Sequence, residues 1–436
     1  MLDTQYYGAG IFENIEVEKL IAENKTLCTT IKQTKEVAEL IDAIGNIDLN
    51  LIKSYVDEIE TNFADEIRNI VLVGIGGSSL GAKAFLSTFE FFDRKCYFME
   101  NIDPVSIRKT MRYVANSRSL FIFVSKSGNT IETLSQAEYI INWLKGINID
   151  VSKHCIAITA IDKPNDLSRL ARDNNIKIYP WQGNVGGRFS ALTISTLLPL
   201  ALMGVKLDEI ADAGKNIDDN ILNGLKGAVV NYLLWQKNYD VTVMMPYSDN
   251  LIDFSLWHRQ LWAESIGKEG FGSIPTCATG TVDQHSMLQM YLGGKKNKFF
   301  TLIKTELKSD SYFVPQLMLD NSNICINVDL QYSSQIGKKN IWFVSTLEAA
   351  CDATVASLIE EGCPVRVITI PLIDRENLTM YNNGGYIAKM MIEFFFETIF
   401  MTELANKYLG HNISAFGQPN VEKSKQNLIN AIQSRL

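Results

Sequence analysis

Hydrophobic and polar positions along the chain change pattern twice. Over the first 65 residues, apolar side chains recur among polar ones at intervals that predict amphipathic helices. From residue 70 onward, short unbroken apolar runs alternate with segments of helical period. Residues 70–73, 96–99, 120–124, 155–159 and 178–179 read as strands, and 133–144 and 167–172 as helices between them. Continuous apolar strands separated by helices predict a parallel sheet covered on both faces. An apolar helix over about residues 190–203 opens a second series. Its strands are predicted at 241–246, 299–303, 324–328 and 365–370, and its helices at 217–237, 346–360 and 386–408. From Asn412 a turn-rich stretch leads into a polar terminal helix. The class is therefore α/β: two doubly wound parallel sheets flanked by helices, with a C-terminal helical tail packed back onto them. The segments are 1–65 (helical), 66–205 (first α/β domain), 206–410 (second) and 411–436 (tail).

Composition narrows the picture. A chain of 436 residues, 46% hydrophobic and 21% charged, has the balance of a globular protein. Its net charge of −8 argues against a broad nucleic-acid footprint. A few local donors would still suffice for a small anion. The seven cysteines (28, 96, 155, 277, 325, 351 and 363) are odd in number and form no CxxC pair or zinc-type spacing. That pattern, a polar N-terminus and apolar runs too short or interrupted to span a bilayer predict a cytoplasmic protein with no membrane partner.

Ligands bind at the carboxyl ends of strands in open α/β sheets, and two loops stand there. Gly74-Ile75-Gly76-Gly77-Ser78-Ser79 follows the first predicted strand, and Ser125-Lys126-Ser127-Gly128-Asn129-Thr130 follows the third. Glycines, hydroxyls and a helix start make a phosphate cradle, although the same residues also serve plain turns and caps. Gly74-x-Gly76-x-x-Ser79 with Glu100 further on begins like a dinucleotide fingerprint, but its third glycine is missing.

Four further features carry possible chemistry. Arg188, in Gly186-Gly187-Arg188-Phe189-Ser190, suits an oxyanion, or else is an arginine in a surface turn. Gln260 and Glu264 share one helical face beside apolar Leu261 and Trp262. Apolar surroundings raise a carboxylate pKa toward that of a general base, whereas a solvated glutamate is the ordinary case. His285 sits in a polar, turn-like stretch; of the others, His154 reads as structural, while His258, just before the Gln260–Glu264 segment, and His411 stay open, a structural role being one alternative for His258. Gln418 and Lys425 lie seven apart, two turns if the segment is helical.

Taken in order and spacing, these elements resemble the glucose-6-phosphate isomerase family from about residue 70 to 425. Gly-Gly-Arg-Phe-Ser and Glu-Ser-x-Gly-Lys are the most specific of them. The resemblance implies two sugar-isomerase (SIS) domains and a homodimer working without a metal or organic cofactor. It implies that Gly77, Ser78, Ser125, Lys126, Ser127 and Thr130 bind the phosphate, with Lys126 acting through its backbone N–H. Gln260 and Gln418 become supporting contacts. Glu264 becomes the base that moves a proton between C1 and C2, Arg188 the stabiliser of the enediolate, and His285 and Lys425 the ring-opening pair, with His285 donated by the partner subunit. Asn129, where many members have threonine, bears on substrate breadth rather than reaction type, and the chain length fits the compact bacterial branch. The rivals are a dual phosphoglucose/phosphomannose isomerase, a non-catalytic sugar-phosphate-binding SIS regulator and a nicotinamide-dependent dehydrogenase.

Overall fold

The computed structural model describes residues 2–8, 15–63, 66–89, 93–114, 118–215, 217–307, 327–330, 337, 339–372 and 384–435. The chain opens not with a helix but with a short strand, β1 (Asp3–Tyr7). Four helices follow, Ile15–Asn24, Leu27–Thr30, Lys35–Gly45 and Leu49–Asn62. They bury Val37, Leu40, Ala43 and Ile44 on one face and Ile52 and Ile59 on another. The first part of the chain is thus helical as expected except at its start. The helical period fails there because Thr4, Tyr6 and Tyr7 favour a strand and pair along the strand Val365–Leu372.

The first sheet comprises β2 (Asn69–Val73), β3 (Lys95–Met99), β4 (Ser119–Val124), β5 (Cys155–Thr159) and β6 (Lys177–Pro180). All pairs are parallel, in the order β3-β2-β4-β5-β6. Both faces of its central strands are buried. Ile70, Leu72, Leu120, Ile122 and Val124 face the core shared with the second sheet, while Val71, Val73, Phe121 and Phe123 face an outer helical layer. Unbroken apolar runs in the sequence are the direct consequence.

The second sheet contains β7 (Val241–Pro246), β8 (Ile274–Cys277), β9 (Lys298–Leu307) and, after a separate hairpin of β10 (Asn327–Leu330) and β11 (Lys339–Trp342), β12 (Val365–Leu372). Its order is β1-β12-β9-β7-β8, parallel except for β1, which pairs antiparallel with β12 at the edge. The predicted strand at 324–328 does not join this sheet. Asn327 and Val328 belong to the hairpin, and residues 324–326, with Cys325, lie outside the described residues. Its expected place is taken by β8, which carries Pro275 and so reads poorly as a strand, but an edge position tolerates proline.

Among the parallel strands of each sheet, the second in chain order lies on one side of the first and the third on the other. The chain therefore reverses between β2 and β4, and again between β7 and β9. A crevice opens outside the strand ends at such a switch point. The two candidate phosphate loops flank the first switch point. The helix Ile252–Ile266 follows β7 at the second, and packs against the turns Gly76–Ser78 and Gly187–Leu192, the helix Leu80–Leu86 and the long helix Gly384–Leu409. Its Trp257, Leu261 and Trp262 are wholly buried, so the helix cannot rotate its polar face away from the first half. Arg366 on β12 forms a buried ion pair with Glu397 of the long helix (2.8 Å), completed by Thr301 and Asn231.

Candidate active site

The two loops of the first sheet are shaped by glycine where backbone meets backbone. Gly77 is buried against the Gly-Gly-Arg turn, and a Cβ on it would lie 2.1 Å from the carbonyl carbon of Gly187. Ser190 Oγ donates to Gly77 O (3.0 Å) and locks the two turns together. Gly128 has φ +66°, and a Cβ there would collide with Asn165 at 1.8 Å. Both glycines therefore serve close approach.

Ser125 is buried, pairs with Thr130 Oγ1 at 3.0 Å, and accepts from Gly128 N–H at 3.1 Å. Thr130 is the N-cap of the 16-residue helix Ile131–Gly146 but makes no side-chain cap bond. The first-turn N–H groups of that helix thus lack a capping acceptor from Thr130, which is the arrangement that receives a phosphate. Lys126 directs its ammonium to Asn184 O (2.8 Å), and its carbonyl accepts from Ala160 N–H (3.2 Å). Ser127 Oγ accepts from Asn129 N–H (3.3 Å), and Asn129 Oδ1 caps the neighbouring helix at Asp166 N–H (3.1 Å). Ser78 sits in the turn after β2, half-buried.

On the facing helix, the Glu264 carboxylate is held by three side chains. Gln260 Nε2 donates to Oε1 (3.0 Å); Arg188 Nη1 (3.1 Å) and Gln418 Nε2 both donate to Oε2. A Cβ on Gly76 would lie 2.7 Å from Gln260 Nε2, so this cluster abuts the first loop directly. Glu264 is not set against apolar surface as the sequence suggested. Its side chain is 30% exposed and its contacts are donors, because Leu261 and Trp262 point into the core instead. Gln260 Oε1 is buried and has no hydrogen-bond partner.

Arg188 is 3% exposed and is no surface-turn residue. Besides Glu264 it donates through Nε to Ser265 Oγ (3.0 Å), and through Nη2 to the carbonyls of Ala415 and Gly417. Burial lowers its pKa and the charge of Glu264 opposes that shift. Lys268, unassigned by sequence reasoning although it ends the Glu-Ser-x-Gly-Lys element, is buried beneath the same cluster.

The tail behaves in two ways. Residues 413–418 pack back and bring Gln418 to Glu264. Lys425 does not follow. Pro419 opens a 3₁₀ turn and the terminal helix begins only at Glu422, so Gln418 and Lys425 do not share a helix. Lys425 is exposed and pairs with Glu422 (2.6 Å). His285 ends the exposed turn Val282–His285. That turn is anchored from beneath by Asp283, which accepts from Thr279 N–H (2.7 Å), and by Gln284, which donates to Tyr247 Oη (2.7 Å). Among the described residues no hydrogen bond or ion pair joins His285 or Lys425 to Glu264 or Arg188. His258 is structural, between Trp262 and Phe394, and His154 bonds Ser119 O (3.2 Å).

Glu100 is committed to protein partners, accepting from Ser79 Oγ (2.6 Å) and Lys83 Nζ (2.8 Å), which removes the acidic residue a dinucleotide ribose would need. Among the described residues no group of three or more His, Cys, Asp or Glu side chains is placed to hold a metal ion, and no helix is long and apolar enough to cross a membrane.

The sequence matches the family profile described as phosphoglucose isomerase over residues 11–297. It is 31% identical over 427 residues to a probable glucose-6-phosphate isomerase of Methanococcus maripaludis, covering 94% of this chain and 88% of that one. A hypothetical protein of Thermus thermophilus superimposes with a TM-score of 0.80 at 25% identity, over 99% of this chain and 100% of the other. A glucose-6-phosphate isomerase of Chlamydia trachomatis shares the fold at 18% identity, with a TM-score of 0.71 over 96% of this chain and 86% of its own.

Proposed function

The chain belongs to the phosphoglucose isomerase family, and we infer from that membership and from its site that it catalyses the reversible isomerisation of glucose 6-phosphate and fructose 6-phosphate. The observation that carries the residue-level reading is the Glu264 carboxylate, held by Gln260, Arg188 and Gln418 beside the glycine-rich loop at Gly76 of the other sheet.

In this reading the phosphate sits at Gly77, Ser78, Ser125, Ser127, Thr130, the Lys126 backbone and the start of the helix Ile131–Gly146. It does no chemistry there; its binding energy holds C1 and C2 at the base. A carboxylate oxygen accepts about two hydrogen bonds. Oε2 of Glu264 already takes two and Oε1 takes one, so Oε1 keeps the open position for a proton. Glu264 removes the proton from C2 of the open-chain aldose and returns it to C1, while the hydroxyl proton passes from O2 to O1. The intermediate is an enediolate. Four of the five Arg188 N–H groups are committed to Glu264, Ser265, Ala415 and Gly417, which leaves one on Nη1 to meet that charge. Gln260 acts as a supporting contact, orienting the Glu264 carboxylate through Nε2.

Ring opening comes first and needs a proton delivered to the ring oxygen and one taken from O1. His285 and Lys425 are the proposed pair. His285, rigidly presented outward and flanked by exposed Val282, Met287 and Met290, fits donation to the site of a second copy, so the proposed working unit is a homodimer. The division into SIS domains near residue 205 and a cytoplasmic setting belong to the same proposal; six described cysteines are free thiols, in keeping with a reducing compartment.

The test is conversion of fructose 6-phosphate to glucose 6-phosphate by the purified protein in EDTA without added nucleotide. Turnover is expected. A folded protein that binds sugar phosphate without turning it over would instead be a regulatory SIS protein, and turnover of mannose 6-phosphate would mark the dual isomerase.

A further inference from the structure

A second buried cation lies beneath the proposed base. Lys268 is 6% exposed, and its ammonium donates to three backbone carbonyls: Glu264 O (2.8 Å), Ser265 O and Ser414 O (2.9 Å). An ammonium has three donors, and all three are used. Two of the acceptors are among the last carbonyls of the helix Ile252–Ile266, which have no intrahelical partner. The third belongs to the packed-back tail, four residues before Gln418.

The choice of a lysine here is costly. Burial, aided by the charge of Arg188 and opposed by that of Glu264, brings its pKa down to about 8. An apolar residue would avoid that desolvation. What an apolar residue cannot do is join these three carbonyls at one point. Glu264 is thereby fixed from both ends: its side chain by Gln260, Arg188 and Gln418, its backbone by Lys268. The same ammonium seats the segment that delivers Gln418. It reaches no open face of the site, so it acts through Glu264 and the tail and not by touching substrate.

We propose that Lys268 is a positioning residue for the proton transfer, holding the backbone of Glu264 and the tail segment 413–418 in the geometry the base requires. The proposal rests on Glu264 being the base. Misplacement of a reacting group by about 1 Å costs roughly 10²-fold in rate, while substrate anchored by its phosphate still binds.

The experiment is a double-mutant cycle of Lys268→Met and Glu264→Gln, with kcat and KM measured for each variant and folding checked by circular dichroism and gel filtration. Lys268→Met alone is expected to lower kcat by about 10²-fold and to change KM by less than about 3-fold. On the Glu264→Gln background it is expected to lower kcat no further, because its effect passes through the base. A kcat within about 3-fold of the parent, a rise in KM alone, or an equal loss on both backgrounds would each overturn the proposal. Should Lys268→Met not fold, Lys268→Arg reads the same cycle, since a planar guanidinium keeps the charge but cannot meet the three carbonyls from one nitrogen. Parental turnover by Glu264→Gln alone would reject the base assignment itself, an outcome separate from these.

Discussion

Two consecutive pieces of the C-terminal tail are held in opposite ways. Residues 413–418 are fastened at almost every position. Ile413 and Ala415 are buried, Asn406 bonds both the N–H and the carbonyl of Ile413 (2.9 and 2.8 Å), and Phe416 packs on Phe189 with ring centroids 4.8 Å apart. Lys268 and Arg188 take the carbonyls of Ser414, Ala415 and Gly417. The helix Glu422–Gln433 has no buried residue, and Leu428 and Ile429 are exposed. The contrast matches a division of chemistry in the proposed mechanism. Groups that move the carbon-bound proton are assembled within one chain, whereas the proposed ring-opening groups, His285 and Lys425, stand on exposed segments that carry apolar side chains.

The comparison can be broken at its tightest point by Arg188→Lys. One ammonium cannot replace four bonds in fixed directions, so kcat should fall roughly 10²–10³-fold, with the tail cut faster in limited proteolysis. Unchanged proteolysis would separate the tail from the arginine. The exposed side of the comparison is sharpened by mixing two inactive variants, His285→Ala and Glu264→Gln. If His285 serves the partner's site, the equimolar mixture should regain about a quarter of parental activity after random subunit exchange. No recovery in verified hybrids would place His285 outside the partner's site.

A smaller effect compares the two tail pieces by stability. Phe416→Ala should cost about 2 kcal/mol in urea unfolding and Leu428→Ala less than about 0.5 kcal/mol. Equal costs would mean that the helix is packed in the working assembly. The smallest concerns His258, buried on the inward side of the base-bearing helix itself. Burial, then the charge of Arg366, lowers its pKa to about 3, below its ordinary 6.5. Between these values the unfolded chain takes up a proton that the folded chain refuses. This contribution is therefore complete above pH 6.5 and is lost as pH falls toward 3. His258→Phe should reduce the stability lost between pH 7 and pH 5 by about 2 kcal/mol in urea titrations.

Much of this arrangement was legible in the sequence for a physical reason. A strand buried on both faces must be apolar throughout, which placed the central strands β2, β4 and β5 of the first sheet and, with them, the loops at Gly74 and Ser125. Strands at edges carry no such signature. The strand Asp3–Tyr7 and the Pro275-bearing strand Ile274–Cys277 escaped notice, while residues 324–328 drew attention as a sheet strand by their apolar character alone. The surroundings of Glu264 were misjudged because sequence shows which residues adjoin it on the helix, not which side faces the core.

The sequence by itself determined the α/β class, the two loops at strand ends and the residue types of the site, since these follow from local period and from the chemistry of single side chains. Only the tertiary structure decided that Arg188, Gln260 and Gln418 converge on one carboxylate, that Lys268 lies beneath it, and that Lys425 pairs with Glu422 on an exposed helix. Those relations join positions as much as 229 residues apart, as in the bond from Arg188 to Gly417. They are fixed by packing of the helix Ile252–Ile266 between the two halves, which no local stretch of sequence encodes.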